Sequence, residues 1–201
     1  MNINSGLKSY ILMGLGLVVV GILIIFMMKY NGLVGKEEQV KEAWSQVESN
    51  LQRKLDLLPN LVKVVKSYAK HEKELLSEIT ALRANANTML GQKNVLSQKA
   101  NIEKLGALKK SLDTSLLKLF AVAENYPDLK SSEQFLQLQS QIEGAENRIN
   151  ITRMQFNTSV SAFNAYARRI PANIVSAVGG FQRKAYFKAE AEAKQKLDLG
   201  L

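Results

Sequence analysis

The chain has 201 residues, with 27 Lys and Arg against 18 Asp and Glu (formal charge +9), one histidine and no cysteine. That composition excludes disulfides, thiol catalysis, the usual structural zinc sites and any multi-histidine metal site within one chain. Only three prolines among regular helix formers point to an almost entirely α-helical chain.

Tyr10 to Met28 read YILMGLGLVVVGILIIFMM, nineteen consecutive positions without a charge. As a helix at ~1.5 Å per residue the run covers ~28 Å, close to the ~30 Å hydrocarbon layer of a bilayer. Lys8 and Lys29 bound it, and Tyr10 and Tyr30 stand at the interfacial positions. The run is longer than the core of a cleavable signal and leaves through Phe26, Met27, Met28 and Lys29, without small residues for a peptidase. It reads as a retained single-pass anchor. Gly14, Gly16 and Gly21 lack the GxxxG spacing of paired membrane helices. Lys8 and the terminal amine on one side, against Lys29, Lys36 and Lys41 on the other, lean by one charge towards a cytoplasmic soluble region.

Beyond residue 28 lie 26 of the bases and all 18 acids, so anionic partners are favoured. The bases are scattered and not interleaved with aromatics, which argues against nucleic acid. Anionic lipid beside the anchor is the simpler match, at ~1 kcal/mol per well-placed base.

Asn31 to Gly35 holds two glycines and is a candidate hinge. A helix is expected from Leu33 to about Leu58, with Leu33, Val40, Trp44, Val47, Leu51 and Leu58 on one stripe and Trp44 as a core anchor. Pro59 either kinks this helix or opens the next, which runs to about Met89 with Leu61, Val65, Tyr68, Leu75, Ile79 and Leu82 on one side. Gly91 to Asn94 forms a turn. A third helix, about 97–124, carries Ile102, Leu105, Leu112, Leu116, Leu119 and Ala123, and Asn125-Tyr126-Pro127-Asp128 breaks it. Ser131 with Gln134 has the capping-box spacing at the start of a fourth helix. Its seam, Phe135, Leu138, Ile142, Ala145, Ile149, Phe156, Val160, Phe163, Ala167, Ile170, is interrupted only by Thr152 and ended by Pro171. Such a helix is ~55 Å long and needs partners along its whole length. The fold class is therefore all-α: an N-terminal transmembrane segment (1–28), a long antiparallel bundle of three to four helices (29–178) and, after Gly179-Gly180, a C-terminal tail (179–201).

Beside the seam of the fourth helix runs a polar stripe that includes Glu146, Arg153 and Asn157. It is either a solvated flank or one side of a network that fixes the register of the bundle. Glu72 falls in the stripe of the second helix with His71 adjacent, and Arg53, Arg148 and Arg153 are its candidate ion-pair partners. Glu72, His71 and Asp56 could act as acid and base, but no nucleophile motif, metal-ligand set or phosphate loop accompanies them, and a structural network is favoured. Phe181, Tyr186 and Phe187 with Arg183, Lys184 and Lys188 form an aromatic-basic cluster. It suits packing against the bundle, contact with a membrane surface or contact between subunits.

The run YNGLVGKEEQVKEAWSQVESNLQRKLDLLPNLVKVVKSYAKHEKELL resembles the opening of the LemA family. Ala43-Trp44, Gln46, Arg53, Asp56-Leu57, Pro59-Asn60-Leu61-Val62, Tyr68 and His71-Glu72 carry the likeness. Tyr126-Pro127-Asp128-Leu129-Lys130, Glu146-Asn147-Arg148-Ile149, Arg153, Phe156-Asn157, Phe163-Asn164, Pro171 and Gly180-Phe181 continue it, in order, over about residues 30–190. Phe156 and Phe163 stand where the family commonly has tyrosine, and the tail ends differently. The resemblance implies a bacterial inner-membrane protein with one span and a helical bundle. It implies no enzymatic activity and no cofactor.

Together these readings predict a membrane-anchored scaffold or adaptor that forms homo-oligomers and contacts the bilayer and membrane-protein partners. An anionic-lipid-binding, membrane-remodelling bundle is one alternative, and an enzyme using Glu72, His71 and Arg153 is another.

Overall fold

The computed structural model describes residues 3–91 and 99–187, the side chains at 3–8 and 99 excepted. Among the described residues the fold is all-α: six helices and no strand. They are α1 (Ile3–Tyr68), α2 (Lys73–Leu90), α3 (Lys99–Ala123), α4 (Pro127–Lys130), α5 (Glu133–Ala167) and α6 (Ala172–Val178). Most of the turn expected at Gly91 to Asn94 lies outside the described residues, as does the tail beyond Phe187.

α1 is one helix where the sequence suggests a hinge and a proline boundary. Gly32 and Gly35 stay helical, and Gly32 serves a close approach: a Cβ there would collide with the Tyr166 side chain. Pro59 lies inside the helix and does not end it. Having no N–H, it cannot donate to the carbonyl of Leu55, four residues back, and Leu55 is 2 % exposed. Arg83 of α2 fills the gap, its Nε donating to Leu55 O at 2.9 Å. A buried acceptor left without a donor costs about 1–3 kcal/mol. Arg83→Ala should therefore destabilise the chain by about that much. Pro59→Ala restores the helical donor and should remove most of the Arg83→Ala penalty in a double-mutant cycle read by urea melts. Equal Arg83→Ala losses with and without Pro59 would contradict this pairing.

The second expected helix is cut at a place with no glycine or proline. α1 stops at Tyr68, Ala69–Glu72 turns, and α2 starts at Lys73. Ala69 is fully buried, and Glu72 N–H closes the turn on Ala69 O at 3.3 Å. The small side chain at 69 lets the turn itself join the core, so packing overrides local helix propensity.

At the start of α5 the capping box is not made. Ser131 Oγ donates back to Pro127 O (3.0 Å) and Asp128 O (3.3 Å), closing α4. Ser132 O accepts the first α5 hydrogen bond, from Leu136 N–H. From Phe135 to Phe163 the α5 seam is otherwise buried as expected except at the half-buried Leu138, and the Thr152 hydroxyl is satisfied by the carbonyls of Arg148 and Ile149. Ile170 falls out of the seam at 83 % exposed. The reason is local: Arg168 and Arg169 bond three residues back, and this tighter winding rotates the chain off the stripe.

The helices form two compact units. One holds the described residues up to Val40 with Ser161–Arg183. In it Phe181 sits edge-on to Tyr30 (ring centroids 5.5 Å apart) and beside Phe163 (6.4 Å). Gly180, at φ 73°, makes the turn that brings Phe181 there, with Phe181 N–H donating to Ser176 O at 3.0 Å. The other unit holds Lys41–Val160 with the described residues from Lys184 onward. Its core includes Trp44, Val47, Leu51 and Leu58 from α1 and Ile79 from α2. α3 adds Leu105, Leu116 and Leu119, and α5 adds Ile142, Ile149 and Phe156.

Candidate functional site

The second unit contains a ring of four charges drawn from three helices. Lys54 of α1 reaches Asp113 Oδ1 at 2.5 Å and Glu146 Oε2 at 2.7 Å. Lys109 of α3 takes the other oxygen of each carboxylate, Asp113 Oδ2 at 2.6 Å and Glu146 Oε1 at 2.6 Å. Each carboxylate thus bridges both ammonium groups, and the signs alternate around a neutral ring. The lysine side chains are almost wholly buried, while the carboxylates keep about a quarter of their surface.

Burial is the largest single influence on Lys109 and by itself lowers its pKa, but Asp113 and Glu146 together outweigh it and hold the ammonium above its usual 10.5. Burial likewise pushes Glu146 up, and the two lysines more than reverse this, holding the carboxyl below its usual 4.5. Neither group changes charge near neutral pH, so the ring suits a register lock and not acid–base chemistry.

Of the seven residues proposed for a polar network, only Glu146 belongs to this ring. Arg53 and Arg148 are exposed. Glu72 is half-buried and accepts from the Tyr126 hydroxyl at 3.2 Å. Burial, then the hydrogen bond and charge of Glu72, raise the pKa of that phenol. His71 is exposed on the rim of a cleft between α1 and α2.

Arg153 and Asn157 act elsewhere, on the segment after α6. Asn157 Nδ2 donates to Phe187 O, and Phe187 N–H donates to Asn157 Oδ1, both at 2.9 Å. The Phe187 ring lies between the Trp44 ring (6.0 Å, nearly parallel) and the Arg153 guanidinium (5.0 Å from the centroid), with Phe156 edge-on at 6.3 Å. Phe187 is 4 % exposed. Of the three settings open to the aromatic-basic cluster, Phe187 therefore takes packing against its own bundle. Its ring carries no polar group, whereas the Arg183 guanidinium and the Tyr186 hydroxyl would need partners in the core, and both of those residues are exposed. Phe181 packs in the other unit, Lys184 is half-buried, and Lys188 lies outside the described residues.

The cleft on which His71 stands has a volume of about 860 Å³ and is lined by the last turns of α1, the 69–72 turn and the first three turns of α2. Lys66, Lys70 and Lys73 share its rim with His71. A smaller cleft of about 460 Å³ opens beside the carboxylates of the ring. Among the described residues, no group of three or more His, Cys, Asp or Glu could hold a metal ion.

Residues 43–199 match the family described as the LemA family. The chain belongs to the LemA family. It is 26% identical to magnetosome protein MamQ of Magnetospirillum gryphiswaldense over 184 residues, 84% of this chain and 68% of that protein. It is 24% identical to protein LemA of Metamycoplasma hominis over 190 residues, 93% of this chain and 82% of that protein. The family match embraces all four residues of the ring and the whole Trp44–Arg153–Asn157–Phe187 cluster.

Proposed function

We propose that this LemA-family chain is a membrane-anchored scaffold or adaptor that self-associates and organises membrane components, with the bilayer and other membrane proteins as partners. One observation carries the anchoring: every large apolar side chain from Tyr10 to Ile25 is at least 48 % exposed, on a helix long and apolar enough to cross a membrane. Burying such a side chain contributes about 1.5–3 kcal/mol, and the bilayer offers that burial to the whole run. The same helix continues to Tyr68, so it bears both the apolar run and core residues such as Val47 and Leu58. Likeness to a magnetosome protein supports a structural, non-catalytic role, and the lysine count beside the run favours a cytoplasmic bundle by one charge.

Introducing two charges, Leu17→Asp with Ile22→Asp, costs about 2.5–3.5 kcal/mol each at the centre of a span. The variant should leave the carbonate-resistant membrane fraction, in which the parent chain stays. Retention of the variant in that fraction would contradict the anchor.

A further inference from the structure

The cleft between α1 and α2 has no role in the ring or in the Phe187 cluster. Three lysines, Lys66, Lys70 and Lys73, and His71 edge one part of it. None of the four has an ion-pair partner among the described residues, and the nearby Glu72 is engaged by Tyr126. Away from these bases the lining turns small and largely apolar: Val62 of α1, then Leu76, Ala81 and Ala84 of α2. From Lys73 to Ala84 the α2 wall is about 17 Å long, roughly three helical turns.

We propose that this cleft docks an acidic amphipathic helix of a partner protein. The carboxylates of that helix would meet Lys66, Lys70 and Lys73, and its apolar face would lie against Val62, Leu76, Ala81 and Ala84. Charge complementarity names the sign of the occupant: three lysines without carboxylate partners among the described residues, on a chain whose bases already exceed its acids, select an anionic surface. The form of the floor names its shape. Alanines spaced along α2 let a second helix backbone come close, and three turns of wall match three turns of an incoming helix. An acyl chain fits worse, because Ala81, Ala84, Ser77 and Thr80 are all exposed and would leave its length in water. This inference rests on the adaptor half of the proposed function and is independent of self-association.

The test uses the full chain in nanodiscs of neutral phosphatidylcholine. The probe is a fluorescent synthetic helix with glutamates at i and i+4 on one edge and alanine and leucine on the adjoining face. Binding should be saturable and weaken with salt, as partly exposed charge pairs do. Binding should be roughly tenfold weaker or worse for the triple variant Lys66→Glu, Lys70→Glu, Lys73→Glu, and for a probe with glutamine in place of glutamate. Ala81→Trp, which fills the floor at an exposed site, should block the probe while the thermal melt stays that of the parent.

Absence of binding, or binding indifferent to both variants, would overturn the proposal. So would two other results. If the cleft variants instead change attachment of the bundle to anionic vesicles, the site is for lipid. If Ala81→Trp instead changes the mass of the particle, the occupant is a second copy of this chain. A strictly monomeric parent that still binds the probe would refute self-association and leave the docking site standing.

Discussion

Lys54→Met should destabilise the helical unit that holds the ring by about 2–4 kcal/mol and lower its midpoint by on the order of 10 °C. The substitution keeps most of the side chain's apolar packing but takes the buried ammonium at which two carboxylates meet away from both of them. Removing one partner of a buried ion pair usually costs about 3–5 kcal/mol. Here Asp113 and Glu146 keep Lys109 and a quarter of their surface in water, which trims the loss. Glu146→Gln should cost a similar amount, and the double variant less than the sum, since the second change removes a group the first left unpaired.

The same ring sets a pH dependence. The pKa of Glu146 is lower in the folded chain, so its contribution is complete above about pH 4.5 and drains away as pH falls through the lower folded value. The pKa of Lys109 is higher in the folded chain, so its contribution is complete below about 10.5 and is lost as pH rises through the folded value. Urea melts between pH 3 and 7 should show a steeper acid loss in the parent than in Glu146→Gln. A Lys54→Met loss below about 1 kcal/mol, with no change in the acid limb, would show that the ring holds nothing together.

Phe187→Ala should cost about 3–5 kcal/mol, the usual penalty for emptying a buried phenylalanine site. Trp44 is the only tryptophan in the chain, and Phe187 covers one of its faces. The loss therefore has an optical counterpart: Trp44 emission should shift to longer wavelength as water reaches the indole. Asn157→Ala should give a smaller loss of about 2 kcal/mol with the same red shift, because it leaves the Phe187 N–H and C=O without their partners. Unchanged emission in both variants would mean that the segment after α6 does not rest on Trp44.

Most helices were legible because a 3–4 repeat is a strong signal wherever one face is buried. Turns set by packing were not. The break at Ala69–Glu72 has no glycine or proline to announce it, and Pro59 suggested a boundary that Arg83 makes unnecessary by supplying Leu55 with a donor. The ring did leave a trace in the sequence. The α1 stripe steps from Leu51 to Leu58 and the α3 stripe from Leu105 to Leu112, and the heptad positions inside those gaps are Lys54 and Lys109. A lysine on an otherwise apolar seam calls for carboxylates on the facing helices, and Asp113 and Glu146 are next to seam residues Leu112 and Ala145. Glu72 drew attention as a charge in a stripe, but the turn at 69–72 takes it out of that helix. The pairing of Asn157 with the backbone of Phe187, thirty residues on, left no periodic trace, because a backbone partner can be any residue type.

The proposed self-association is decided by the mass of the 201-residue chain in nanodiscs or detergent. Light scattering with particle imaging, across a tenfold range of concentration, should return one defined multiple of the chain mass. A single-chain mass throughout that range would contradict the claim.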